Sequence, residues 1–275
     1  MRYRNLKALV VMPAVVMLLL TASSAGAQAD AAMQRYLLAR ATYYTPTADG
    51  LRTFDCKVSA DWKDFLSRAS GKDIGEDHPA VKYLNSVNIT VHNTLRSKAE
   101  VHWGETAPAP ANLQDGTTKM REGIAQMLEG YFQSWNAYLN GAMVPLPDKS
   151  TKISFTPEGT HLAAIAPNTS VDEDFDKNML LTRVHVLTDG NDTIAMPTFT
   201  DTARGRTISE VRSEVRQPQT APPVYITLAA KYQTVAGYEI PSVLHFEVQN
   251  VTQLDFALTG CVVNTASPAA ETKKP

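Results

Sequence analysis

The second half of the chain, from Thr151 onward, alternates apolar and polar residues in short runs that are separated by turn sequences. The runs are Ile153 to Thr156, Leu162 to Ala166, Leu180 to Leu187 and Thr193 to Thr200, and the turns include Pro157-Glu158-Gly159 and Asp189-Gly190-Asn191. Successive side chains of a strand point to opposite faces, so each run is typical of a half-buried strand. The short turns predict an antiparallel meander.

The same alternation continues towards the C-terminus and also occurs once near the N-terminus. Phe54, Cys56, Val58, Ala60 and Trp62 share one face of a predicted strand. Arg206 to Arg216 fits either a helix or a strand, and its β-branched residues favour a strand. Further strands are predicted around Ile89 and Trp103, and after a break at Pro218 to Pro223. The last of these have alternating faces formed by Val224, Ile226, Leu228, Ala230 and Tyr232, by Leu244, Phe246 and Val248, and by Leu254, Phe256 and Leu258.

Two segments have the spacing of substantial helices, at Asp30 to Tyr44 and Asp115 to Gly141, and Lys63 to Val87 is expected to be helix and loop. The longer one carries a wide apolar stripe, formed by Met120, Ile124, Met127, Leu128, Tyr131, Phe132, Trp135 and Leu139. Its other face is Glu, Gln and Asn rather than Lys, which favours packing on a sheet over a membrane surface.

These elements predict a mainly β (α+β) fold. With about nine or ten strands, two substantial helices and no βαβ alternation, we expect a curved antiparallel sheet or unclosed β-barrel, with helices covering one face.

The first 29 residues have the features of a secretory signal peptide. Arg2, Arg4 and Lys7 precede a short apolar run, and the Ala25 to Ala29 segment offers a small-residue cleavage site. We therefore predict a signal peptide at 1–29, a single β-rich domain at 30–265 and a disordered tail at 266–275, with no transmembrane span after cleavage and a periplasmic or secreted location. The alternative is an uncleaved anchor.

Cys56 and Cys261 are the only two cysteines, and export to an oxidising compartment favours a disulfide between them over two buried thiols. Cys261 is out of phase with Leu254, Phe256 and Leu258. The bridge therefore requires a bulge that shifts the alternation by one residue, for which Gly260 is suited.

Charge and motifs exclude several functions. Lys and Arg number 26 against 28 Asp and Glu, so a nucleic-acid partner is not expected. The six histidines lack metal-ligand spacing and are interpreted as solvated or core residues, so no metal is expected. Asp172-Glu173-Asp174-Phe175-Asp176 lacks the calcium-loop pattern and is interpreted as a solvated turn. Without a GxSxG motif, a nucleotide-binding glycine loop or a catalytic cysteine, we expect neither a cofactor nor enzymatic activity.

Four features occur in order along the chain: the signal peptide, the first helix, the strand Leu51-Arg52-Thr53-Phe54-Asp55-Cys56-Lys57-Val58 and the hairpin Tyr232-Gln233-Thr234-Val235-Ala236-Gly237-Tyr238-Glu239-Ile240-Pro241. Together they resemble the LolA-like carriers. These are periplasmic lipoprotein carriers and related lipid-binding lipoproteins. The resemblance spans roughly residues 30 to 264 in the order of elements and implies an unclosed barrel that holds acyl chains on a concave apolar face. The long second helix has no counterpart in the smaller carriers, and no residue here matches the family's functional arginine, which puts transfer of lipoproteins in doubt.

Five aromatic residues on apolar strand faces are the candidate ligand-binding residues: Phe54, Trp62, Tyr232, Phe246 and Phe256. The alternative is that they form an ordinary closed core. The leading hypothesis is an exported carrier of a hydrophobic small molecule or acyl chain. The other hypotheses are an envelope interaction or scaffold protein with a filled core and a protein partner, and an unrecognised hydrolase with carboxylates assembled from distant strands.

Overall fold

The computed structural model describes residues 30–95, 99–137, 144, 146, 151–166, 168–188, 190–217 and 220–265. The predicted signal peptide (1–29), the predicted helix end at Gly141 and the predicted tail (266–275) lie outside the described residues. Within these ranges the fold is an antiparallel sheet of twelve strands with four α-helices, which confirms the predicted fold class.

The strands are β1 (Leu51–Ala60), β2 (Asn88–Asn93), β3 (Glu100–Gly104), β4 (Thr151–Phe155), β5 (Gly159–Ala166), β6 (Thr169–Asp176), β7 (Leu181–Thr188), β8 (Asn191–Thr202), β9 (Gly205–Gln217), β10 (Thr220–Val235), β11 (Tyr238–Val248) and β12 (Thr252–Thr265). The helices are α1 (30–40), α2 (Trp62–Ser70), α3 (Pro79–Ser86) and α4 (Gln114–Ala137), and a 3-10 turn, Ala111–Leu113, precedes α4.

The strand order is β3-β2-β1-β12-β11-β10-β9-β8-β7-β6-β5-β4. Strands β4 to β12 form a continuous meander, and the strand nearest the N-terminus, β1, then pairs with the last strand, β12. The two edges of the sheet are therefore β3 and β4, which are successive in sequence. Helix α4 lies in the connection between them.

A disulfide joins Cys56 on β1 to Cys261 on β12, with the Cα atoms 4.2 Å apart. Asp55 pairs with Val262 and Lys57 with Thr259, so Cys56 faces two residues of β12, Gly260 and Cys261. Gly260 has φ of 56°, the left-handed conformation that a glycine-containing bulge requires. Both the bridge and the predicted bulge at Gly260 are confirmed.

Helix α4 packs its apolar stripe on one face of the sheet, here called the covered face, which carries Phe54, Tyr232, Phe246 and Phe256. The buried members of the stripe are Ile124, Leu128, Tyr131, Phe132 and Trp135. The packing of this helix on the sheet agrees with the expectation from its stripe.

Helix α1 and the residues after it cover the strand ends further along the sheet. Tyr36 packs edge-on against Phe175 of β6, and Tyr43 against Phe199 of β8. The backbone of Tyr44 donates to the Arg206 carbonyl at 2.8 Å, which fixes this segment to β9. One hydrophobic core thus extends beneath both α1 and α4.

Three sequence interpretations were wrong in detail. The acidic segment from Asp172 to Asp176 is not a turn but belongs to β6, and Glu173 within it is buried. The sheet has twelve strands rather than nine or ten, and β6 is the one that was not predicted. The break at Pro218 to Pro223 is shorter than expected: β10 begins at Thr220 and contains Pro222 and Pro223, where its register with β9 shifts. The strand interpretation of Arg206 to Arg216 is confirmed as β9.

Candidate binding site

Three of the five predicted ligand-binding residues, Phe54, Phe246 and Phe256, are buried beneath α4. The ring of Phe54 meets Phe132 and Trp135 edge-on, with centroids 5.6 and 5.9 Å apart. Phe246 packs between Tyr131 and Phe256 in the same manner. Such edge-on pairs are a preferred aromatic packing geometry. These residues therefore form the contact between helix and sheet.

Trp62 does not belong to the strand face on which it was predicted. Strand β1 ends at Ala60, and Trp62 is the first residue of α2, buried with its ring edge-on to Phe65. Asp61 accepts a hydrogen bond from the backbone N–H of Asp64 and so caps the helix at this point. The helix start interrupts the alternation one residue before Trp62.

Tyr232 links α4 to two strands through its hydroxyl group. The indole Nε1–H of Trp135 donates to this oxygen at 3.1 Å, and the hydroxyl donates to the carbonyl oxygen of Ile208 at 2.6 Å. Burial raises the pKa of Tyr232, so the hydroxyl keeps its proton at neutral pH.

A cavity of about 150 Å³ remains between α4 and strands β7 to β10. Its wall is formed by Tyr131, Ser134 and Trp135 of the helix and by Val186, Thr193, Ala195, Ile208, Val211, Ser213, Leu228 and Ala230 of the sheet. The cavity is smaller than the 300–1,000 Å³ or so that is usual for ligand pockets. Most of its sheet residues are only partly buried, in contrast to the Phe54 cluster.

None of the five predicted residues forms part of the cavity wall. The space exists because Ala195, Ser213 and Ala230 put small side chains on the covered face, where β1, β11 and β12 have aromatic and leucine side chains. The corresponding sequence signal, small residues on neighbouring strands, can be recognised only once it is known which strands are neighbours beneath α4.

Glu173 is a carboxylic acid on the covered face of β6, and it is 94 % buried, with 6 % of its surface exposed. Its cross-strand neighbours, Leu162 and Val184, are buried apolar residues. Burial raises the pKa of Glu173 to about 8, and its Oε2 atom has no hydrogen-bond partner among the described residues. This carboxyl group is thus neutral at moderate pH and lies close to the core of the sheet.

The opposite face of the sheet carries a network of histidines and aspartates. His161 contacts Asp174 at 2.8 Å, and His185 contacts Asp192 at 2.8 Å. Asp172 lies between the two imidazoles, 3.5 Å from His161 and 3.9 Å from His185. Across the described ranges no three such side chains are arranged to hold a metal ion. The network therefore consists of cross-strand ion pairs and hydrogen bonds.

The part of the chain that the structure describes contains no helix with the length and hydropathy needed to cross a membrane. No family model, curated protein or solved structure matches this chain.

Proposed function

We propose that the protein binds a hydrophobic ligand, an acyl chain or a small apolar molecule, between α4 and strands β7 to β10. The observation that carries the proposal is the cavity there, whose wall is largely apolar and only partly buried. The few hydroxyl groups at the wall, from Ser134, Thr193 and Ser213, can orient a ligand without binding it strongly.

The size of the cavity limits how such a ligand enters. About 150 Å³ accommodates part of an acyl chain, so a longer ligand requires α4 to move away from β7 to β10. Small side chains face the helix at this side, where the hydrogen bond from Trp135 to Tyr232 has to break for it to move, whereas Phe54 and Phe132 pack the helix against β1. The ligand thus enters from the β7 to β10 side.

The location that we propose is the periplasm or the exterior of the cell. The N-terminal 29 residues have the pattern of a signal peptide, and a disulfide between Cys56 and Cys261 fits an oxidising compartment. The resemblance to the LolA-like carriers supports the same compartment and the same class of ligand.

The test is uptake of a fluorescent fatty acid by protein that has been exported and purified. Ala195→Phe fills the cavity from β8, and we expect it to weaken probe binding about tenfold, because a filled pocket loses the apolar contacts of the chain. The control is Met196→Phe, an adjacent residue on the opposite face, which should bind the probe as the unchanged protein does.

The carrier proposal fails if the unchanged protein takes up no probe and native mass spectrometry of freshly exported protein finds no bound lipid. If the Ala195→Phe and Met196→Phe variants bind the probe equally well, the ligand does not bind in this cavity.

A second function is favoured by the packing of Phe54, Phe246 and Phe256 against α4. An interior filled in this way suits an interaction or scaffold protein of the cell envelope, whose partner binds the surface. Affinity purification that yields one stoichiometric protein partner, from protein without bound lipid, would favour it over the carrier.

A further inference from the structure

A second cavity, of about 550 Å³, lies where α1 meets the turns that join β4 to β5 and β6 to β7. It is separate in its wall residues from the cavity beneath α4, since the two share none. We call it the α1 cleft.

Two basic side chains line the α1 cleft, Arg35 from the helix and Lys177 from the turn between β6 and β7. Both residues are exposed, and none of the ion pairs within the described ranges includes either of them. The cleft wall also contains one acid, Asp176, whose Oδ1 accepts hydrogen bonds from the backbone N–H groups of Asn178 and Leu180, each at 2.8 Å. One oxygen of the carboxylate is therefore occupied within the turn, and the two cations remain available to a ligand.

The turn that carries Lys177 is fixed in place. The hydroxyl of Tyr43, which follows α1, donates to the carbonyl oxygen of Met179 at 3.2 Å and accepts from the backbone N–H of Leu181 at 3.0 Å. Met179 also accepts a hydrogen bond at its sulfur from the hydroxyl of Thr160. Arg35 and Lys177 are thus attached to backbone segments that hold each other, so only their side chains have to be ordered when a ligand binds.

The wall also includes the apolar side chains of Ala32, Phe155, Pro157 and Met179, together with the hydroxyl groups of Thr156 and Thr160. A guanidinium and an ammonium group together match a phosphate or a carboxylate, and neighbouring apolar side chains match the first carbons of a chain. We propose that the α1 cleft binds the anionic head group of an amphiphile, a phosphate or carboxylate, with the chain against Phe155 and Met179. This site does not depend on the cavity beneath α4 accepting an acyl chain.

The experiment is calorimetric titration of exported protein with decyl phosphate, decanol and inorganic phosphate, at low ionic strength and below the micelle concentration. The variant Arg35→Gln with Lys177→Gln removes both cations of the cleft. The control, Lys72→Gln with Lys231→Gln, removes the same charge from exposed residues outside it. Ala195→Phe closes the cavity beneath α4 and separates the two sites.

We expect the cleft variant to bind decyl phosphate at least about tenfold more weakly, because it loses two charge-assisted contacts. The control and Ala195→Phe should retain the affinity of the unchanged protein for decyl phosphate. Decanol should bind the unchanged protein, the cleft variant and the control weakly and equally. Equal affinity of the cleft variant and the unchanged protein for decyl phosphate would overturn the site. If only Ala195→Phe loses decyl phosphate binding, the ligand belongs to the cavity beneath α4, and the site in the α1 cleft is refuted. If inorganic phosphate binds as tightly as decyl phosphate, the proposal of an amphiphilic ligand is refuted, and the ligand of the cleft is a free anion.

Discussion

Trp135 of α4 donates its indole N–H to the hydroxyl oxygen of Tyr232 at 3.1 Å, and this bond joins the long helix to the sheet. The same hydroxyl donates to the Ile208 carbonyl at 2.6 Å, so one oxygen connects α4, β10 and β9. It lies beside the cavity that we propose as the ligand site, because Trp135 and Ile208 are both wall residues.

Tyr232→Phe removes this oxygen and leaves the Trp135 N–H and the Ile208 carbonyl without their partner. We expect the free energy of unfolding to fall by about 1–3 kcal/mol, the cost of unsatisfied buried polar groups. Urea denaturation followed by circular dichroism measures it. The control is Tyr225→Phe, the same chemical change on β10 at a residue that is 47 % exposed, and equal losses in the two variants would contradict the role of the bond.

Removal of the disulfide should destabilise the sheet strongly, because Cys56 and Cys261 are separated by 205 residues in the sequence. Replacing both cysteines by alanine should lower the free energy of unfolding by about 2–5 kcal/mol. Reducing agent should lower the stability of the unchanged protein by a similar amount and have no effect on the double variant. A stability of the double variant equal to that of the oxidised protein would refute this prediction.

Glu173 should make the protein less stable as the pH rises. Its ordinary pKa of 4.5 is raised by burial to about 8, so the folded protein retains a proton that the unfolded chain has released between these values. Stability is therefore complete below pH 4.5 and is lost through the window up to about 8, by about 1.4 kcal/mol per pH unit.

Glu173→Gln removes this dependence, so the variant should be more stable than the unchanged protein at pH 8 and nearly equal at pH 4.5. Denaturation midpoints across this pH range are the measurement. Glu158→Gln, at an exposed residue of the turn between β4 and β5, is the control and should keep the pH dependence of the unchanged protein. An unchanged slope in Glu173→Gln would show that the carboxyl is not the cause.

Two glycine substitutions should act in opposite directions. At Gly159 an added Cβ would collide with the carbonyl oxygen of Phe175, so Gly159→Ala should lower the free energy of unfolding by about 1–3 kcal/mol. At Gly123, within α4, an added Cβ meets no atom within 4 Å. Gly123→Ala should therefore stabilise the protein by about 0.5–1 kcal/mol through helix propensity. Thermal denaturation of both variants tests the contrast, and a decrease for Gly123→Ala would contradict it.

Local patterns were sufficient to predict most of the strands and the disulfide between Cys56 and Cys261. The alternation of Phe54, Cys56 and Val58 identified the covered face of β1, and the phase of Cys261 required the bulge that Gly260 forms. These features depend on the period of a strand and on glycine geometry, both of which act within a few residues.

The cavity could not be predicted in the same way. Ala195, Ser213 and Ala230 become wall residues only because β8, β9 and β10 are neighbours beneath α4, and that arrangement depends on the whole sheet. The burial of Glu173 was not predicted for a different reason. Asp172, Asp174 and Asp176 surround it in the sequence, and this acidic composition indicated a solvated turn. The alternation of Val171, Glu173 and Phe175 is nevertheless that of a strand face. Trp62 was misplaced because the capping residue Asp61 ends the strand just before it.

The position of β12 between β1 and β11 determines the order in which the fold can be completed during synthesis. Strands β1 to β3 emerge first, yet within the described ranges they join the rest of the sheet through the segment Thr252–Thr265, which emerges last. Pairing across so long a stretch of chain is slow, because its loop-closure entropy must be overcome before the contacts form. The N-terminal strands therefore remain unattached to the main sheet until nearly the whole chain has left the ribosome, so the sheet is completed only at the end of synthesis.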